Sequence, residues 1–313
     1  MDVSIIIVNY NTKKLLADCL NSIYEQTKDI SFEVIVSDNG SKDGSIEMLK
    51  ADFPQVILIE NNANLGFGAA NNRGLAIAKG KYIFYLNSDT ILLNNAVKIF
   101  FDYWENSPEK DSIGALGANL LNINKETIHS GGLFPDYKSD ISGLMHNIYG
   151  FTKQFFFHKL FKKNLPEYKN EKSEKIIGLI DYITGADLFL KNDNFAYFDE
   201  DFFMYCEETY LQYKLSQENK KRILIDGVKI IHLEGQSAEK ITTNLVHNEA
   251  SFAAVQSKIS RIMYFKKTGS SFISIFVLKL LTAILWLNPL IFKYTKNYIK
   301  YIFHPEKNKT QFY

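Results

Sequence analysis

Val3-Ser4-Ile5-Ile6-Ile7-Val8 is an unbroken, β-branched apolar run, and Asn9-Tyr10-Asn11 ends it abruptly. A strand with one wet face alternates polar and apolar side chains. A run without alternation belongs to a strand covered on both faces, as in a parallel sheet. Working outward, Leu15, Leu16, Cys19, Leu20 and Ile23 recur at three and four and predict a helix. A short strand over 33–37 follows, ending in the polar turn Asp38-Asn39-Gly40-Ser41-Lys42-Asp43-Gly44. The alternation continues with a helix over 45–50, a strand over 56–59, a helix over 69–79 closed by Gly80, and a strand over 82–86. This order implies right-handed crossovers and an α/β fold on a mostly parallel sheet. Ligands of such sheets sit beyond the carboxyl ends of the strands, where the strand order reverses. Polar clusters stand at those ends: Asn9-Tyr10-Asn11, Asp38-Asn39, Asn61 to Asn64, and Asn87-Ser88-Asp89. One crevice rich in Asn and Asp is expected there.

Composition narrows the class. The chain has 313 residues, 46% hydrophobic and 23% charged, enough apolar surface for one large core or two fused ones, which excludes intrinsic disorder. Two cysteines, Cys19 and Cys206, exclude a disulfide scaffold and fit a reducing cytoplasm. Met1-Asp2-Val3-Ser4 carries no cationic segment, so no secretory leader is expected. The net charge of +1 conceals an asymmetry: from Gln256 onward ten Lys/Arg face one acid, Glu306, leaving the first 255 residues at −8. The middle of the chain, roughly 115–240, is less regular. It holds Ser130-Gly131-Gly132, a Lys-rich segment from Lys162 to Lys175 read as an exposed loop, and the island Phe202-Phe203-Met204-Tyr205-Cys206-Glu207-Glu208. Beyond about 240 the pattern is helical.

Several residues carry chemistry. Asp89 leaves a buried strand into the crevice, where a carboxylate can hold a hard divalent ion that takes its other ligands from water and a substrate diphosphate. The same turn also reads as an ordinary polar loop. His232, after the apolar run Val228 to Ile231, is a second ligand or simply a packed histidine. Asp38 can accept from a pyrimidine imide N–H, or it can hold its own turn as an Asx residue. Asn64-Leu65-Gly66-Phe67-Gly68 precedes a helix, so its backbone N–H groups can meet phosphate. It lacks the full phosphate-loop and dinucleotide fingerprints. In the aromatic-to-acidic island, Glu207 and Glu208 suit a general base beside an apolar wall, or acids complementing a helix dipole.

Taken in order, these stretches, with Asn71-Asn72-Arg73-Gly74, Thr184-Gly185-Ala186 and Phe198-Asp199-Glu200-Asp201, resemble a family 2 glycosyltransferase of the GT-A fold. The rhamnosyltransferase branch of bacteria is the most similar. The resemblance covers about 1–240 and implies a GT-A domain, with 1–115 the nucleotide-sugar-binding half and 116–240 the acceptor and catalytic half, followed by a helical region, 241–313. It implies that Asn9, Tyr10, Asn11, Asp38, Asn64, Gly66, Asn71 and Asn87 surround the donor. Asp89 and His232 would hold Mg²⁺ or Mn²⁺, and Glu208 would be the base, with Glu207 in reserve. Three positions depart from the family pattern: Glu208 stands for an Asp, Tyr210 for an acid, and Ser88 for a common Pro. The implied reaction is inverting transfer of a sugar, rhamnose from dTDP-rhamnose first, onto a cell-surface or lipid-linked glycan. The alternatives are a UDP-hexose or galactofuranose donor, or a non-catalytic nucleotide-sugar-binding scaffold.

In the tail, Ser270 to Asn288 is apolar but for Lys279, marginal for a span of about 20 residues. Ser271, Ser274, Lys279 and Thr282 fall in one helical arc, read as a polar stripe. After Pro289, Lys293, Lys296 and Lys300 form a basic face opposite Phe292, Ile299, Ile302 and Phe303. That pattern fits a helix lying on an anionic membrane surface, at the inner face of the cytoplasmic membrane. Packing on the enzyme or in a homodimer is the other reading. Nucleic-acid binding is disfavoured, because the lysines interleave with apolar residues.

Overall fold

The computed structural model describes residues 1–161, 174–233 and 251–305, which form two compact units. The Lys-rich segment from Lys162 and the last basic residues, Lys307 and Lys309, lie outside the described residues, apart from Glu174 and Lys175.

The first unit comprises described residues from 1–134, 174–200 and 207–233. Its sheet begins with β1 (Val3–Asn9), β2 (Phe32–Asp38), β3 (Ile57–Glu60) and β4 (Tyr82–Leu86). To these it adds β6 (Ile113–Ala118), β8 (Gly178–Leu179), β10 (Asp187–Lys191) and β11 (Lys221–Ile225), in the order β3-β2-β1-β4-β10-β6-β11-β8. The pairs β1/β2, β1/β4, β2/β3 and β6/β11 are parallel. The middle strand, β10, runs antiparallel to both β4 and β6, an inversion the local pattern did not reveal. Helices α1 (Lys13–Gln26), α2 (Ser45–Asp52), α3 (Phe67–Leu75), α4 (Ala96–Asn106) and α6 (Glu207–Gln217) belong to this unit.

The unbroken apolar strands are buried on both sides, as their composition requires. Ile5 and Ile7 join one core with Leu16, Leu20 and Phe100. Ile6 joins the other with Tyr85, Phe198, Leu211 and Leu215. Helix α3 stops at Leu75, short of the expected 79. Its last turn gives way to Ile77 N–H donating to Gly74 O and Ala78 N–H to Leu75 O. Gly80 then presses against β1 so closely that a Cβ would lie 2.3 Å from Ser4 N. The glycine is there for this approach.

The second unit comprises described residues from 135–161, 201–206 and 251–305. Its helices are α5 (Tyr137–Phe161), α7 (Phe252–Lys267), α8 (Phe272–Trp286), α9 (Phe292–Thr295) and α10 (Ile299–Phe303). Helix α8 packs against α5, α7 and α10. Ser251 and Ser271 cap α7 and α8 by accepting from Ala254 N–H and Ser274 N–H, which satisfies donors left open at a helix start. Of the expected polar stripe on α8, Ser271 is exposed, Ser274 and Lys279 are half-buried, and only Thr282 is withdrawn from water. Thr282 is buried and donates to Leu278 O (2.8 Å), because a hydroxyl can be satisfied within its own helix and tolerates burial there. Past Pro289, Lys293, Lys296 and Lys300 are all exposed, on and between two short helices, and Ile302 of the opposite apolar face turns inward.

Candidate active site

The parallel register brings the ends of the first strands level: Asn9 pairs with Asp38, and Asp38 with Glu60. Hydrogen bonds knit these ends together. Asn9 Nδ2 donates to Asp38 Oδ2 (2.7 Å) and Ser41 Oγ (3.0 Å). Asp38 Oδ1 accepts from Gly40 N–H (3.0 Å) and Ser41 N–H (2.8 Å). Asp38 has no exposed surface, and its visible work is the Asx role of holding its own turn. Asn11, at φ 53, accepts from Lys42 N–H (2.7 Å) and donates its own N–H to Ser41 Oγ (2.9 Å). Tyr10 sits between these two anchors. Asn64 Oδ1 accepts from Gly66 N–H (2.9 Å), and Asn39 Nδ2 donates to Asn64 Oδ1 (3.3 Å) and Gly66 O (3.2 Å). Asn71 donates back along its helix to Phe67 O (3.1 Å), while its buried Oδ1 finds no hydrogen-bond partner.

At the end of β4 the chain turns through Asn87-Ser88-Asp89 into β5 (Thr90–Leu92), which pairs antiparallel with β12 (Ile230–His232), His232 opposite Thr90. That pairing joins residues far apart in sequence. His232 Nε2 lies 3.2 Å from Asp89 Oδ1 and 3.4 Å from Asn87 Nδ2. Asp89 O accepts from Leu233 N–H (2.9 Å), and His232 N–H donates to Leu121 O (2.8 Å), so both backbones are held. Carboxylate oxygen and imidazole nitrogen at this separation suit one divalent ion. Among the described residues no group of three His, Cys, Asp or Glu forms a metal cluster. Asp89 and His232 would thus supply two ligands to an ion here. Burial pushes the nearby Cys19 thiol up to about 12, which keeps it protonated.

Helix α6 starts with Glu207 and Glu208. Both readings of this pair meet: the acids complement the helix N-terminus, and one of them is reachable. Glu207 is buried at 3% exposure, and a Cβ on Gly68 would lie 3.6 Å from its Cβ. Glu208 is only half-buried and accepts from Thr209 Oγ1 (3.2 Å). Gly185 leaves room beside it, since a Cβ there would lie 3.6 Å from Glu208 Cβ and 3.4 Å from the Phe67 ring. Tyr205 and Cys206, just before the helix, have φ of 68 and 64. Consecutive non-glycine residues in this region are rare and tend to cluster at functional sites.

Sequence reasoning missed three residues. Thr12 hydroxyl donates to Asn9 Oδ1 (2.6 Å) and lies 3.0 Å from Ser88 Oγ, linking the two halves of the crevice. Asn72 clamps the 198–200 segment: its Nδ2 donates to Phe198 O (2.9 Å) and Glu200 Oε1 (3.0 Å), and its Oδ1 accepts from Phe198 N–H (2.9 Å). Asp187, with no exposed surface, accepts from Ala118 N–H through Oδ2 (2.7 Å). Only for Asn72 was there a signal, its place in the run Asn71-Asn72-Arg73-Gly74.

The mostly parallel eight-stranded sheet flanked by helices is a GT-A fold. Mannosyltransferase PcManGT from Pyrobaculum calidifontis, solved in complex with GDP-Man and Mn²⁺, shares it at a TM-score of 0.53, covering 95% of this chain and 73% of that one with 16% identity. Residues 4–165, just over half of the chain, match the family described as Glycosyl transferase family 2. The chain belongs to that family. Poly(ribitol-phosphate) beta-glucosyltransferase of Bacillus spizizenii is 32% identical over 131 residues, 40% of this chain and 21% of that protein. UDP-Glc:alpha-D-GlcNAc-diphosphoundecaprenol beta-1,3-glucosyltransferase WfaP of Escherichia coli is 35% identical over 122 residues, 36% of this chain and 48% of that protein. The match thus spans less than half the length of either relative.

Proposed function

We propose that the protein is an inverting glycosyltransferase that moves a sugar from a nucleoside diphosphate onto a glycan acceptor. The observation that carries this is the meeting of Asp89 and His232 at 3.2 Å beyond the strand ends. The donor nucleobase is framed by Asn9, Tyr10, Asn11 and the turn that Asp38 holds in place. Asn64, Gly66, Asn71 and Asn87 line the same donor site. Asp89 and His232 would hold Mg²⁺ or Mn²⁺, which, when bound, supplies Lewis-acid stabilisation of the departing diphosphate. Glu208 takes the proton from the acceptor hydroxyl as its oxygen bonds the anomeric carbon and the bond to diphosphate breaks on the opposite face. Glu207, buried, positions the helix start. In this reading residues 1–115 serve the donor, 116–240 the acceptor, and 241–313 the location.

The donor we propose is dTDP-rhamnose, on the likeness to the rhamnosyltransferase branch. The acceptor is a cell-surface glycan or its lipid-linked precursor at the inner face of the cytoplasmic membrane. The name of the Escherichia coli relative, which includes a diphosphoundecaprenol acceptor, supports the lipid-linked form. A positioned base contributes roughly 10²–10⁴-fold to the rate. Glu208→Gln should therefore lower kcat by about that factor while donor Kd, read by calorimetry, stays within about twofold. Full activity in Glu208→Gln with loss in Glu207→Gln would reverse the two roles. Donor binding without any release of nucleoside diphosphate, across a panel of acceptors, would point to a scaffold instead.

A further inference from the structure

Helix α8 presents apolar side chains where a helix in water presents polar ones. At about 100° per residue, Phe272, Ile273, Phe276, Leu280, Ile284 and Leu287 fall within an arc of roughly 120°. All six are exposed, from 45% for Ile284 to 83% for Phe272. The other side, with Leu278, Thr282, Leu285 and Trp286, is buried within the second unit. A contiguous apolar strip of this kind marks a surface that meets something other than water.

Charge selects the occupant. Residues 251–305 contain eight Lys or Arg and no Asp or Glu. Arg261 and Lys267 are paired with Asp140 and Asp201, whereas Lys293, Lys296 and Lys300 are exposed after the helix. Lys293 and Lys300 lie over the rings of Tyr294 and Tyr301, at 4.7 and 4.8 Å from the centroids. An apolar strip followed by exposed lysines complements an anionic lipid surface, with the strip among the acyl chains and the lysines at the headgroups. It does not complement a second copy, whose matching strip would bring like charges together. Fifteen residues make a helix of about 22 Å, short of the roughly 30 Å hydrocarbon core. No described helix is long and apolar enough to cross a membrane.

We infer that the face of α8 formed by Phe272, Ile273, Phe276, Leu280, Ile284 and Leu287 beds into the interface of an anionic bilayer, steered there by Lys293, Lys296 and Lys300. The inference rests on the proposed function only for its purpose, which is to reach a lipid-linked acceptor. The test is flotation of the full chain with phosphatidylcholine vesicles and with mixed phosphatidylcholine–phosphatidylglycerol vesicles. Binding to the mixed vesicles should weaken about tenfold or more in F272S/F276S/L280S, with an unchanged melting temperature because these side chains are already exposed. In K293Q/K296Q/K300Q the preference for anionic over neutral vesicles should disappear. Equal flotation of wild type and F272S/F276S/L280S would overturn the inference. So would a lipid-free, concentration-dependent dimer that the same variant dissolves, which would assign the face to a second copy. Donor turnover with a soluble acceptor is measured alongside. Vesicle binding without turnover in the wild type would sink the glycosyl-transfer reading and leave the lipid face standing.

Discussion

Asp187 has no contact with water and rests on one hydrogen bond, from the Ala118 N–H. Burial pushes its carboxyl well above the ordinary range, and that hydrogen bond opposes the shift only in part. The folded protein therefore keeps a proton that the unfolded chain releases near pH 3.9. Its stabilising contribution is complete below that pH and is lost as pH rises towards the folded value, with a slope of up to about 1.4 kcal/mol per pH unit. Asp187→Asn keeps an acceptor for Ala118 N–H and has no proton to lose, so its stability should fall less from pH 5 to 8 than that of the wild type. Urea unfolding at several pH values checks this, and parallel curves for the two proteins would refute it. At Asp38 the residue type offered two roles, and the structure makes one visible. Three donors already hold the carboxylate, at 2.7 to 3.0 Å.

Between β1 and α1, Thr12 joins the turn after one strand to the turn after another, through Asn9 and Ser88. Nothing in its local sequence marks it, because the partner in the turn after β4 is 76 residues away. Thr12→Val leaves Asn9 Oδ1 without this donor in a buried site, which should cost about 1–3 kcal/mol of unfolding free energy. Thr12→Ser should recover most of it, and denaturant midpoints distinguish the two variants. Helix α3 shows the limit of periodicity. Its pattern continues to residue 79, yet close packing of Gly80 on β1 ends it at Leu75. For α8 the helical spacing places Ser271, Ser274, Lys279 and Thr282 in one arc, but an almost wholly apolar helix does not declare which side its neighbours will cover.

The proposed donor site lies in the first unit, and binding there should stabilise that unit. A nucleotide sugar at about 100 times its Kd adds about 2.7 kcal/mol. Among dTDP-rhamnose, UDP-galactose, UDP-N-acetylglucosamine and GDP-mannose, we expect the largest melting shift with dTDP-rhamnose and Mn²⁺, and its loss with EDTA. A larger shift with another sugar would replace the proposed donor. A shift indifferent to EDTA would remove the metal role from Asp89 and His232. The charge division, −8 over the first 255 residues and +9 beyond, adds a salt dependence to vesicle binding that donor binding should not share.

The sequence by itself determined the parallel half of the sheet, β1 to β4, and the polar residues at its strand ends. Unbroken β-branched runs, helical spacing and turn residues are local signals, written within a few residues of the structure they specify. Eight motifs in register identified the family likeness for the same reason. Only the tertiary structure decided that β10 enters the middle of the sheet antiparallel, that Asp187 is sealed beneath the site, and that Glu208 rather than Glu207 is reachable. It also decided that His232 returns to Asp89 across a sequence separation of 143, and that α8 shows its apolar side. These are outcomes of long-range packing, in which the burial of many side chains at once selects a strand order and a helix face that no single stretch encodes.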